Sequence, residues 1–120
     1  MKTLPKGNWG ERLAEQHLQN KGYRIIARNF KKRYGEIDLI ALHNQTLIFV
    51  EVKTRWNQSH GTPEEAITPW KIKTLVKTAH YFKLLHPELP DGMRMDAVAV
   101  EINEDNSISR IEHIQNITGY

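Results

Sequence analysis

The sequence predicts an α/β sandwich around a mixed sheet, with elements in the order α-β-β-β-α-β-β. Three observations carry this. Apolar residues recur at helical spacing over 8–21 and 69–86. Five short stretches, 23–29, 35–42, 46–54, 93–102 and 108–114, are rich in Ile, Val, Leu and aromatic residues. Turn-forming residues stand at the joins. With 120 residues, no repeat and no linker-like stretch, one domain covering 1–120 is expected.

In the first helix Trp9, Leu13, Ala14, His17 and Leu18 share a face. Asn8 is its expected N-cap and Gly22 its stop. After strand 23–29, Lys31-Lys32-Arg33 reads as a turn into strand 35–42. His43-Asn44-Gln45 then joins a hairpin. The strand over 46–54 is almost continuously apolar through Leu47-Ile48-Phe49-Val50, as a central strand buried on both faces should be. Residues 55–68 read as a polar loop with Gly61 and Pro63. Thr68 then caps the second helix and Pro69 opens it. Ile72, Leu75, Val76, Ala79, Phe82 and His86 form its inner face, and Pro87 and Pro90 end it. Glu104-Asp105-Asn106 turns the last pair of strands.

Composition narrows the function classes. The absence of cysteine excludes disulfides and thiolate metal sites and fits a reducing compartment. Residues 1–7 lack the apolar stretch of a signal peptide. The longest apolar runs, 47–50 and 97–100, are too short to cross a bilayer, so a cytoplasmic protein without membrane association is expected. The net charge of +3 is unevenly spread. Residues 1–35 carry nine Lys/Arg against Glu11 and Glu15, a net +7. That block suits a polyanion partner, most plausibly nucleic acid, or equally a solvated surface. There is no Gly-rich phosphate loop, nucleotide fingerprint or Ser/His/Asp order, which disfavours an ATPase or a serine hydrolase.

The chemistry concentrates in Gly35-Glu36-Ile37-Asp38-Leu39-Ile40 and Phe49-Val50-Glu51-Val52-Lys53. Side chains alternate along a strand, so Glu51 and Lys53 leave the same face. Asp38 interrupts an otherwise apolar strand. Buried carboxylates are costly unless paired or metal-bound. Their hard oxygens suit Mg²⁺ or Mn²⁺. A metal so held would give a nucleophilic water at neutral pH. Lys53 could position that water or neutralise charge growing on a phosphate. The structural alternative is an internal Asp/Glu–Lys ion-pair network. Three charges on two central strands weigh against it.

This Asp-x₁₂-Glu-x-Lys pattern, preceded by a helix bearing a Glu, resembles the PD-(D/E)xK nuclease superfamily of restriction endonucleases and archaeal Holliday-junction resolvases. Over nearly its whole length the chain more closely resembles the YraN family, a widespread bacterial family of uncharacterised function. The resemblance rests on Gly10-Glu11, Asn29, the strings 35–41 and 49–55, Gly61, Lys71 and Arg94-Met95-Asp96. It implies a restriction-endonuclease-like sandwich with Asp38 and Glu51 as metal ligands and Lys53 as the catalytic lysine. Glu11 would be the first-helix carboxylate that approaches the metal and joins the catalytic set. Asn8-x-x-Glu11 also has capping-box spacing, and the two roles are compatible. Two departures from the pattern stand out. Ile37 replaces the superfamily's proline before Asp38, and Met95 stands where an aromatic is expected.

Other charged residues fill supporting parts. Glu36 lies two before Asp38 and reads as an outer-lying carboxylate of the site or a solvated strand-start charge. Asp96 is expected to pair with Arg94. Lys31, Lys32 and Arg33 are the best nucleic-acid contacts, joined by Arg55. Lys73 and Lys77 form a helix stripe that could follow a phosphate backbone or simply face solvent. Trp56 and Trp70 could stack on bases, though packing is the expected role. Six scattered histidines lack zinc-ligand spacing, and His17 reads as a packed helix residue.

The sequence therefore points to a Mg²⁺- or Mn²⁺-dependent nuclease acting on DNA rather than RNA. Branched or repair intermediates are suggested by the resolvase likeness alone. The alternative is a non-catalytic module on a nuclease fold that binds nucleic acid or protein. The resolvase likeness also admits a homodimer. The small surface left for grasping a duplex admits an activating protein partner.

Overall fold

The computed structural model describes residues 6–56 and 61–119. The elements follow in order as helix α1 (Lys6–Asn20), strands β1 (Arg24–Lys32), β2 (Gly35–His43) and β3 (Thr46–Trp56), a short 3₁₀ helix (Pro63–Ala66), helix α2 (Pro69–Leu85), and strands β4 (Gly92–Ile102) and β5 (Ile108–Ile114). The expected α-β-β-β-α-β-β order holds.

The sheet order is β1-β2-β3-β4-β5. β3 and β4 run parallel, from Thr46↔Gly92 to Trp56↔Ile102, and all other pairs are antiparallel. A parallel pair needs a crossover, and α2 supplies it. The two helices cover opposite faces. Ala14 and Leu18 of α1 pack with Leu39, Val50, Val52, Val98 and Val100. Leu75, Ala79 and Phe82 of α2 pack with Ile37, Leu47, Phe49 and Met95. β3 contributes to both clusters, which explains its unbroken apolar run. This mixed sandwich is consistent with a restriction-endonuclease-like architecture. No helix among the described residues is long and apolar enough to cross a membrane.

Four sequence expectations need correcting. Asn8 lies inside α1, which begins at Lys6, so it is not the N-cap. Lys31 and Lys32 belong to β1, paired with Glu36 and Gly35, and Arg33-Tyr34 alone makes the turn. The Lys31–Glu36 cross-strand pair favours extending the ladder over breaking it. Arg55 and Trp56 belong to β3 rather than to the following loop. That loop holds a 3₁₀ helix opened by Pro63. Residues 1–5, read for a leader, and 57–60, with His60, lie outside the described residues.

Candidate active site

The site forms where β2 and β3 part. Their ladder ends at Leu39↔Val50. Beyond it, the Val52 backbone N–H donates to Asp38 Oδ2 at 2.7 Å, so a carboxylate takes a strand amide left without a ladder partner. Ile37 packs in the α2-side cluster and Leu39 in the α1-side cluster, although they are two residues apart. The alternation therefore breaks at Asp38. Across the β1–β2 ladder stands Asn29, between the pairs Arg28↔Leu39 and Phe30↔Ile37, with φ 51°. Asn tolerates this left-handed geometry better than most residues.

Helix α1 brings the third carboxylate. Gly10 lies so close to β3 that a Cβ there would fall 1.9 Å from Thr54 Oγ1. The next residue, Glu11, brings its carboxyl beside that of Asp38. With Asn8 inside the helix, the capping-box role for Glu11 falls away and its contact with Asp38 remains. Burial, and then the charges of Glu36 and Glu51, push Glu11 above the usual carboxylate range despite the opposing effect of Asp38. Asp38 is pushed up to about 7, first by burial and then by the Glu51 charge, against the stabilising Val52 N–H. Glu36 is exposed, and its charge raises both neighbours. An open groove of about 390 Å³ extends from Glu11 and Asp38 between α1 and β1, lined by Arg12, Gln16, Arg28 and Asn29.

Lys53 and Glu51 leave β3 together, as expected, with Nζ 3.1 Å from Oε1. A residue the sequence reading had not placed in the site joins them. Lys71, in the first turn of α2, comes beside Lys53, and each acts on the other's charge. Its backbone N–H is capped by Thr68 Oγ1 at 3.2 Å, as the sequence predicted. Contact with Lys53 depresses Lys71, helped by burial. Burial pulls Lys53 down too, but its contacts with Lys71 and Glu51 outweigh this and leave it raised. Arg55 acts on Lys71 through its charge, and its buried Nε has no hydrogen-bond partner. The quoted match at Lys71 was the one signal that could have singled it out.

Among the described residues, no group of three or more His, Asp or Glu side chains stands ready to hold a metal ion. Asp38 and Glu51 are therefore two candidate donors rather than part of a closed cage, and Glu11 stands behind Asp38. Mg²⁺ is commonly held by one or two carboxylates, with waters and substrate phosphate completing its shell. A half-buried group of mutually repelling carboxylates fits such an ion. No histidine cluster for zinc occurs among the described residues.

The other predicted contacts divide. Lys31, Lys32 and Arg33 stand at the β1–β2 hairpin tip, at the Asp38 end of β2. Lys32 Nζ lies 5.5 Å from the centroid of the Phe30 ring. Lys73 and Lys77 line a separate groove with Ile72, Val76 and Ile117 and are not brought to the carboxylates. Trp56 packs against the core as expected, but Trp70 is 70% exposed, so the packing expectation fails for it. Asp96 pairs with Arg94 as expected, Nε to Oδ1 at 2.8 Å. It also meets His113, a partner the sequence reading missed, with Nε2 2.7 Å from Oδ2.

A family profile described as "Uncharacterised protein family UPF0102" matches residues 10–100. A UPF0102 protein of Syntrophomonas wolfei subsp. wolfei is 44% identical over 110 residues, covering 92% of this chain and 94% of that protein. One from Alkaliphilus oremlandii is 40% identical over 112 residues, with coverage of 92% and 94%. One from Persephonella marina is 39% identical over 111 residues, with coverage of 92% and 90%.

Proposed function

The chain belongs to the uncharacterised family UPF0102, the YraN family, and we propose that it is a divalent-metal-dependent nuclease hydrolysing phosphodiester bonds, with DNA as its substrate. One observation carries this reading. Asp38 and Glu51 stand just past the last pair of the β2–β3 ladder, Leu39↔Val50, the Glu51 charge bears on Asp38, and Lys53 touches Glu51. Asp38, pushed up by burial and by the Glu51 charge, gains from a cation set beside it.

Asp38 and Glu51 would hold Mg²⁺ or Mn²⁺, with Glu11 beside Asp38. The bound ion would lower the pKa of its water toward neutrality and polarise a phosphoryl oxygen. Lys53, on the same strand face as Glu51, would orient the attacking water and offset charge growing on the phosphate. Lys31, Lys32 and Arg33, at the same end of the sheet, would meet the backbone. A second reading, a non-catalytic binding module, draws on the pairing of Glu51 with Lys53 and the lack of a three-donor group among the described residues.

Labelled single strands, duplexes, flaps and four-way junctions, incubated with Mg²⁺ or Mn²⁺, separate the two. Cleavage abolished by both Glu51→Ala and Lys53→Ala supports the nuclease. Failure to cleave any of these substrates, or activity that survives both substitutions, moves the assignment to the binding module.

A further inference from the structure

The end of β3 and the start of α2 gather three cations around one carboxylate. Lys53 pairs with Glu51 at 3.1 Å. Lys71, in the first turn of α2, comes beside Lys53. Arg55 adds its charge to Lys71, and its buried Nε has no acceptor. Ammonium groups this close repel and gain from an anion set between them. Glu51 is the carboxylate in contact with Lys53, and it is also a proposed metal donor. Glu51 is taken up by Lys53, and among the described residues neither Lys71 nor Arg55 forms a salt bridge of its own.

Trp70 immediately precedes Lys71. It exposes 70% of its surface, whereas Trp9 and Trp56 pack against the α1-side core. An indole this open to solvent offers a flat aromatic face on which a base can lie. Cations that follow a backbone, beside an aromatic face that accepts a base, are the means by which proteins hold unpaired strands. A base inside a duplex has its faces covered by its neighbours and cannot lie on an indole without leaving the stack.

We propose that Lys71, Arg55 and Trp70 bind one nucleotide of an unpaired polynucleotide strand, with its phosphate between Lys71 and Arg55 and its base on Trp70. The site rests on the nuclease reading for its place beside the scissile bond, but the binding step needs neither metal nor cleavage. The preferred substrate class is then single-stranded nucleic acid, or a junction with a frayed or flapped strand.

The test is metal-free binding of a labelled oligothymidylate and of a blunt duplex to the full chain in EDTA, read by fluorescence anisotropy and tryptophan quenching. The single strand should bind more tightly than the duplex. Trp70→Leu should weaken it by about tenfold and Trp70→Phe should restore most of the loss. Lys71→Gln should weaken it similarly and lower the salt dependence by about one phosphate contact. Thermal unfolding of each variant confirms that it is folded. Equal affinity for strand and duplex, or unchanged affinity in either Trp70→Leu or Lys71→Gln, overturns the proposal. Cleavage assayed in parallel keeps the two readings apart. Binding lost in the variants without cleavage in the parent leaves this site and removes the nuclease. Cleavage with binding unchanged in the variants does the reverse.

Discussion

Gly10 of α1 and Thr54 of β3 touch backbone to side chain, with no room for a Cβ at position 10: one placed there would meet Thr54 Oγ1 at 1.9 Å and Thr54 Cβ at 3.0 Å. This contact sets how closely α1 approaches the sheet, and so where Glu11 meets Asp38. Gly10→Ala should lower stability by about 1–3 kcal/mol through overpacking, despite alanine's better helix propensity. Thr54→Ala should recover part of the loss in the double variant, because it removes the nearest atom. Urea unfolding of the four-member cycle measures the coupling. Additive effects would show that α1 does not rest on Thr54.

Asp96 carries the clearest acid dependence. Its side chain is fully buried. It accepts from Arg94 Nε at 2.8 Å, Arg94 Nη2 at 2.8 Å and the Asn116 N–H at 2.9 Å. Lys21 Nζ lies 2.7 Å from His113 Nδ1. A charged ammonium only donates, so Nδ1 accepts and Nε2–H donates to Asp96. Burial pushes Asp96 up, but the hydrogen bonds from His113, Arg94 and Asn116 outweigh it and hold the carboxyl near 2, below its ordinary 3.8. A folded pKa below the unfolded one stabilises the protein above the unfolded value, and that stabilisation is lost as pH falls through the folded value. About 2 kcal/mol should therefore disappear between about pH 4 and pH 2. Unfolding measured across that range should show the fall in the parent and not in Asp96→Asn.

Regularity decided what could be read in advance. The element order was legible because β3's apolar run and the two helical faces repeat over many residues. The face shared by Glu51 and Lys53 follows from strand alternation alone. Asp38 was legible as an acid out of place, but not its grip on the Val52 amide. That grip depends on where the β2–β3 ladder stops, and pairing partners decide this more than any local pattern does. Lys71 reaches Lys53 only because α2 crosses back over the sheet. His113 meets Asp96 through the register of β4 with β5, in which Val98 faces His113. A histidine read singly carries no sign of that. The basic run 31–33 misled because charge suggested a turn where a cross-strand partner, Glu36, favoured more strand.

Metal binding should appear as stability. In EDTA, Asp38→Asn removes a buried charge from a group that includes Glu11, Glu36 and Glu51, and it should stabilise the fold by on the order of 1 kcal/mol. Glu51→Gln should gain less, since it also strips Lys53 of its partner. With Mn²⁺ at a hundred times its Kd the parent should gain about 2.7 kcal/mol, and both variants should lose that gain. Thermal unfolding along a Mn²⁺ titration reads both effects. A Mn²⁺ response intact in both variants would put the ion at another place on the protein.

Lys53 separates catalysis from architecture. If its ammonium offsets charge that grows only in the transition state, Lys53→Met should lower kcat by about 10²–10³ with little change in KM. The same change frees Glu51 from its contact at 3.1 Å. This largely buried ion pair, with side chains 20% and 15% exposed, is worth about 1 kcal/mol, so Mn²⁺ affinity should rise by about fivefold. Metal affinity and turnover are then expected to move in opposite directions, which can be checked by calorimetric Mn²⁺ titration beside single-turnover cleavage. A lysine present only to neutralise Glu51 would leave kcat near the parent value once Mn²⁺ is saturating, because the ion then takes over that neutralisation.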